Sequence, residues 1–497
     1  MRKTKLLTLC SLVVFSLASC GGQENNEQGD YGNGDLVYDE NNNIVYDGVE
    51  LKMWSVTTGD DATTQDQIVN EFNTLYDGMI HVTVEHRSRY DLEQLLNSTM
   101  QFDQANAPDI LFNHGARVDE YDDRGWLLPI EDYYELGNVP LDKEDFASSL
   151  IASTTLDDKM YATPIDVHSA TVTIRVDILE KNGLEIPTNY QELVDVCEET
   201  IELARDGNLW IRGENSDGYG SDEWRLASTA TDYVPFPISY GDMWVHEFAG
   251  YTAVVQNGAT IVDEEGNPAW NTQETANGLQ VLRDWIFPEN NANSTNKYQL
   301  SIDYGSSYDV GIGPFNSGNC IFKLDGPWIY AQDVTNFDRM LANDGGSANI
   351  TTRSMSSLFA KDSTQDYASK IKGEGHAVML MSTVESTTKR CAAAVFADYL
   401  AYYSGIEWAK RGHIPAASSV LNSTEFTSDP AYDSYIKYWG VPEDYIVYGP
   451  TKFYTYIDQY FKYALQQSIT SDFLSEDCRS ILDRQYNDCI AYIELYA

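Results

Sequence analysis

The stretch from Gly48 to Gly125 switches repeatedly between two hydrophobic periods, and that switching limits the fold more than any other feature of the chain. "GVELKMWSV" (48–56) reads as a strand, "IHVTVEH" (80–86) alternates apolar and polar residues with a period of two, and "APDILFN" (107–113) supplies a third strand. Between them, Ile68, Phe72 and Leu75 recur at helical spacing before a stop at Gly78, and a second helix is expected from about Leu92 to Met100. A further helix near Val118 to Arg124 ends before Gly125. Strands joined through crossover helices run parallel, so this β-α-β-α-β run predicts a parallel sheet with a ligand crevice outside the carboxyl ends of its strands.

The remainder continues in the same manner and places the chain in the α/β class. "KMYATPIDVHSATVTIRVDILEKNG" (159–183) opens a second region, followed by an amphipathic helix with Leu193, Cys197, Ile201 and Ala204 on one face and a capping box expected from Thr188 and Gln191. "ATIVDEEGNPAWN" (259–271) reads as a hairpin turning at Gly266 and Asn267, and "TQETANGLQVLRDWIF" (272–287) as a helix. "HAVMLM" (376–381) is a strand, "KRCAAAVFADYLAYYSG" (389–405) a helix closed by Gly405, and "FYTYIDQYFKYALQQSI" (453–469) a long aromatic helix. Roughly 450 folded residues exceed what one small core holds, so two lobes are expected.

The first residues have another purpose. Arg2, Lys3 and Lys5 precede an apolar run from Leu6 to Ala18 that is too short for a spanning helix and fits a secretory leader. Leu17-Ala18-Ser19-Cys20 resembles the lipobox of bacterial lipoproteins, which implies cleavage before Cys20, a diacylglyceryl group on its sulfur and tethering at the extracytoplasmic face of the cell membrane. Residues 1–19 are then the signal peptide. Residues 20–49 form a flexible polar tether with a short hairpin around "DENNNIVYD". Asp39, Asn41, Asn43, Asp47 and Glu50 match EF-hand ligand positions, but Ile44 stands where the sharp turn needs glycine, so a hairpin is expected rather than a calcium loop.

Charge excludes one class of partner. Loss of the three leader cations moves the formal net charge from −45 to about −48, which repels phosphate backbones and rules against nucleic acid. Cys197, Cys320, Cys391, Cys478 and Cys489 are scattered without CxxC spacing and are expected as buried thiols. The sequence has no GxxxxGK[ST], HExxH or GxSxG pattern, and its seven histidines stand singly, so neither a cofactor nor a metal site is expected.

Seven segments occur in a recognisable order: "KMWSV" with "IVNEFN"; "APDILF"; "RGWLLPIEDY"; "KMYATPIDV" with "VDILEKNGLEIPTNYQEL"; "GNCIFKLDGPW"; "GEGHAVMLM"; and "WAKRGHIPA". From Leu51 to about Ser471 the chain resembles the family 1 extracellular solute-binding proteins of ABC importers, the group that includes maltose-binding protein. The resemblance implies a type II periplasmic-binding-protein-like fold of two α/β lobes hinged by three crossover segments, expected near Pro164 to His168, Lys323 to Pro327 and His376 to Met381. The lobes are then 50–165 plus 328–376 and 166–327 plus 377–497.

The implied activity is binding without catalysis: a lipid-anchored, monomeric receptor captures a carbohydrate, expected to be an oligosaccharide, and presents it to the permease subunits of an ABC importer. Trp328, in the turn "KLDGPWIY", resembles the family's sugar platform, because a rigid indole covers the apolar C–H face of a pyranose. Its alternative is core packing of the crossover. The resemblance also offers Tyr454, Asn113, His114, Asp166 and His168 as ligand contacts, against helix packing, loop capping and hinge hydrogen bonds as structural alternatives. Trp54 at the end of the first strand, Asp60 and Asp61 in the following loop, and Trp244 in "YGDMWVHEF" complete the candidate set. Other functions remain open at this point: a surface glycoside hydrolase, an adhesion lipoprotein, or a receptor for a polyol or glycerol-phosphate solute.

Overall fold

The computed structural model describes residues 35–213, 223–228, 233–238, 246–302, 312–340 and 349–496. Strands β1 (Val49–Ser55), β2 (Ile80–His86) and β3 (Ile110–His114) lie in the order β2-β1-β3, with both neighbours parallel to β1. The expected β-α-β-α-β unit is therefore present. Its two crossover helices are Gly59–Leu75 and Arg89–Phe102, the second capped by the Ser88 hydroxyl, which accepts from the Asp91 N–H.

The sheet continues beyond that unit with opposite polarity. His376–Met381 runs antiparallel to β3, pairing His376 with His114 and Leu380 with Ile110, and Leu127–Leu128 and Ala162–Pro164 are both antiparallel to it. Apolar side chains cover it on both faces: the helix Thr387–Tyr403 packs beside β1, and Phe72 meets Phe396 edge-on with ring centroids 4.8 Å apart.

A second, three-stranded antiparallel sheet has Thr171–Ile174 at its centre, flanked by Phe322–Asp325 and Thr351–Ser354. Two of the segments expected near crossovers are strands of these sheets. Phe322–Asp325 stays in the second sheet, and the following helix Pro327–Met340 remains beside it through Lys323 to Asp333 at 2.6 Å and Phe337 against Phe315. His376–Met381 is a fully buried strand of the first sheet: His376 to Leu380 pair with β3, and Met381 pairs with Leu127.

The expected passage at Pro164 to His168 does join the two sheets, and it runs next to the segment Glu374 to His376. The Ile165 N–H donates to the His376 carbonyl at 2.8 Å, and His168 and Glu374 exchange backbone hydrogen bonds at 2.8 and 2.9 Å. Gly375 permits this approach, since a Cβ there would meet the Asp166 carbonyl oxygen at 2.6 Å.

Smaller expectations were met or shifted. The first hairpin closes through a Tyr38–Ile44 bridge, with the Asp39 carboxylate accepting from Asn41 and Asn43 N–H groups, and the second through Val262 and Pro268 with Gly266 at φ +81°. The helix Tyr190–Arg205 is capped one residue later than expected: Asn189 accepts from the Glu192 N–H, and Glu192 accepts from both the Thr188 N–H and its hydroxyl. The five cysteines among the described residues are buried, and Cys478 and Cys489 share the helix Cys478–Tyr496. Among the described residues no helix is long and apolar enough to cross a membrane. Cys20 and Trp244 lie outside the described residues.

Candidate functional site

A cavity of about 440 Å³ opens where the first sheet, the paired connecting segments and the start of the helix Pro327–Met340 meet. One wall comes from the turn after β1 and the start of the next helix, with Thr57, Thr58, Asp60 and Asp61; Ser88 and Arg89 follow β2. Trp328 and Ile329 form the apolar side. His114, His168, His376 and His413 close it, so four of the seven histidines meet at one place.

The indole of Trp328 is aimed by its own turn. It lies over Gly326, where an added Cβ would stand 1.8 Å from the ring, so only glycine leaves room. The indole is half-buried, nearly parallel to the His413 ring at 18° with centroids 6.3 Å apart and edge-on to His168 at 6.1 Å. Trp408 stacks on His413 at 4.4 Å.

Below these rings a buried carboxylate organises the imidazoles. Asp166 is 0% exposed; Oδ1 accepts from His168 Nδ1 at 3.0 Å, and Oδ2 accepts from His376 Nδ1 at 2.9 Å and Trp408 Nε1 at 2.5 Å. Burial pushes the Asp166 carboxyl up, but the neighbouring His376 and His413 and these hydrogen bonds outweigh it and hold it well below the usual carboxylate range. Burial pushes His168 down to about 4 and His114 well below the ordinary histidine value, although Glu374 works the other way on His114. His413 is raised, because Asp61 at 3.2 Å and Asp166 outweigh its burial.

A second network adjoins it. Glu374 accepts from Lys372 Nζ at 3.1 Å and from the Tyr454 hydroxyl at 3.2 Å, and lies 3.0 Å from His114 Nε2 and 3.8 Å from Arg89. The carboxylate is thus compensated from several sides.

Residues 67–433 match the family model described as bacterial extracellular solute-binding protein. The chain belongs to that family. This solute-binding protein shares its fold with the GacH receptor of Streptomyces glaucescens GLA.O, solved unliganded and with acarbose, at TM-score 0.64 and 14% identity over 89% of this chain and 98% of that one. The cyclic alpha-maltosyl-1,6-maltose binding protein of Arthrobacter globiformis gives TM-score 0.63 and 16% identity over 89% and 99% of the two chains. UgpB of Mycobacterium tuberculosis, in complex with glycerophosphocholine, gives 0.62 and 12% over 90% and 98%. The type II α/β fold is common to all of them.

Within this solute-binding protein the expected site residues divide into groups. Trp328, His114, His168, Asp60 and Asp61 line the cavity. Asp166 lies directly behind it, holding His168 and His376. Tyr454 is buried at 1% exposure beneath Arg117, whose guanidinium sits 4.8 Å above its ring; its hydroxyl accepts from Arg89, which lines the cavity, and donates to Glu374. Asn113 is buried and donates to the Tyr121 hydroxyl at 3.0 Å, so it supports β3 instead of facing the cavity. Trp54 is core at 3% exposure.

The expectation that the histidines stand apart is corrected. His376 and His413 were missed although both lie in the segments "GEGHAVMLM" and "WAKRGHIPA"; one histidine in each was a usable signal, but only the pairing of His376–Met381 with β3 brings them together. Arg89 and Ser88 were missed because they follow β2 in a polar turn with no motif.

Proposed function

We propose that this chain is the receptor of an ABC importer and captures a short saccharide in the cavity beside Trp328. The observation that carries the reading is the half-buried indole on the wall of a cavity that polar groups also line: a flat apolar surface for the C–H face of a sugar, with Asp60, Asp61, Ser88 and Arg89 for its hydroxyls. A volume of about 440 Å³ is near the low end for small-molecule sites, which favours one or two rings over a long glucan. Saccharides named for the GacH and Arthrobacter proteins support the class.

Glycerol-phosphate is the second reading, supported by Arg89 and by the glycerophosphocholine of UgpB. Asp60 and Asp61 on the same cavity disfavour a dianion there.

The two sheets are the cores of two lobes in this reading: 49–165 with 376–417, and the described residues of 169–372 with those of 447–496. Solute draws them together by favouring the closed arrangement. A diacylglyceryl anchor on Cys20 holds the receptor beside its permease. Metabolic palmitate labelling should depend on Cys20, and full labelling of Cys20→Ser would remove the anchor from the proposal.

A thermal-shift screen against mono- and oligosaccharides and glycerol-phosphate tests the ligand class. A raised melting temperature with an intact saccharide is expected. No shift with any sugar would overturn the saccharide reading, and no shift with any solute of the screen, or shortened glycan products, would overturn the receptor reading.

A further inference from the structure

We propose that Asp166, His168, His376 and His413 form a binding site for a divalent transition-metal ion of the zinc class on the floor of the cavity. One ligand atom from each of the four lies within 4.8 Å of the other three, and all four residues are buried. Three imidazoles and one carboxylate form a borderline-soft N₃O set, suited to Zn²⁺, Co²⁺, Ni²⁺ or Cu²⁺ and poorly suited to Ca²⁺ or Mg²⁺.

The sharpest observation is a gap between two acceptors. His413 Nε2 is 3.2 Å from the Asp61 carboxylate, an acceptor only, so Nε2 carries a proton and the neutral ring has its lone pair on Nδ1. That Nδ1 is 2% exposed at the residue level, has no hydrogen-bond partner, and faces Asp166 Oδ2 at 3.7 Å. Two ligands about 2.1 Å from a tetrahedral ion stand about 3.4 Å apart, so an ion fits this gap with small side-chain movement. His168 and His376 Nδ1 approach the same carboxylate at 3.0 and 2.9 Å. In the metal-bound form their Nδ1 protons are given up and move to Nε2, where neither ring has a hydrogen-bond partner among the described residues.

Surrounding contacts suit the assignment. Asp61 on His413 is a carboxylate–histidine pair that orients the ring, and Trp408 donates to the Asp166 oxygen that faces the gap. Lys372 and Arg89 pair with Glu374 instead of Asp166, which favours this cluster over the neighbouring set of His114, His168 and Glu374. The rival occupant of the gap is a proton on His413.

The metal site is argued from its own geometry and does not depend on the saccharide reading, although Asp61 and His168 line the same cavity, and the experiment separates the two. The full chain, stripped with EDTA, is titrated calorimetrically with zinc chloride and with calcium chloride, and cobalt chloride is followed by visible absorption. One zinc per chain in the micromolar range or tighter, no calcium binding, and intense visible bands from tetrahedral cobalt are expected. His413→Gln should weaken zinc at least a hundredfold, and Asp61→Asn, an outer contact that guards against loss of fold, about tenfold. His81→Gln, on the exposed edge of β2, should change nothing. Absence of zinc binding, or equal affinity in wild type and both Asp61→Asn and His413→Gln, would overturn the site. A saccharide shift that persists in that case leaves the receptor reading standing.

Discussion

Trp328 owes its position to two neighbours that have no side-chain chemistry of their own. Pro327 starts the helix, and Gly326 leaves the space into which the indole folds, so the ring is held over the turn before any solute arrives. A ring held in this way would lose little entropy in the platform role proposed for it. Trp328→Ala is expected to weaken saccharide binding by about tenfold to a hundredfold, or roughly 1.4–2.7 kcal/mol, while the half-buried position limits the loss of fold stability. Calorimetric titration beside a denaturation curve checks this; unchanged affinity would return the indole to the packing role. The tryptophan was legible because Gly-Pro-Trp is a local signal. The imidazole cluster was not, since His114, His168, His376 and His413 sit in four separate segments and meet only through the Asp166 carboxylate and the antiparallel pairing of His376 with His114.

The helix Thr387–Tyr403 shows what periodicity reveals and what it hides. Its apolar face, including Ala392, Ala393, Phe396 and Ala397, is buried as the spacing implies. Asp398 accompanies that face toward Tyr134 and Tyr402, and burial alone pushes its carboxyl up to about 7. Below pH 4 the carboxyl is protonated in both the folded and the unfolded chain and costs nothing. Between pH 4 and 7 the unfolded chain ionises first, so this residue's contribution to stability falls as pH rises and is fully lost above pH 7. Asp398→Asn is therefore expected to stabilise the protein at pH 8 by on the order of 2–4 kcal/mol and to have no effect near pH 3.5. Urea melts at the two pH values decide it; equal shifts at both would rule out a titration origin. The parallel strands of the first sheet were legible for the same reason as this helix, because each crossover is local. The antiparallel entry of His376–Met381 was not, because strand pairing across more than 250 residues leaves no period in the sequence.

Two connecting segments run side by side between the sheets, and the cavity lies against both. Ile165 and His168 bond to His376 and Glu374 through their backbones, so the connection is a narrow paired ribbon and not two loose loops. Such a ribbon twists more readily than either packed sheet shears, which makes it the natural axis for relative motion of the lobes. Trp328 approaches this ribbon from the second sheet's side, whereas Asp60 and Asp61 come from the turn after β1, so a solute held by both bridges the two units. Its binding energy can shift the population only as far as it touches both at once. Small-angle scattering of the full chain is expected to give a smaller radius of gyration with the best saccharide of the screen than without it, and the change should vanish in Trp328→Ala at the same sugar concentration. An identical radius at saturation, confirmed by calorimetry, would mean that solute binds to a fixed arrangement and that the paired segments do not act as a hinge.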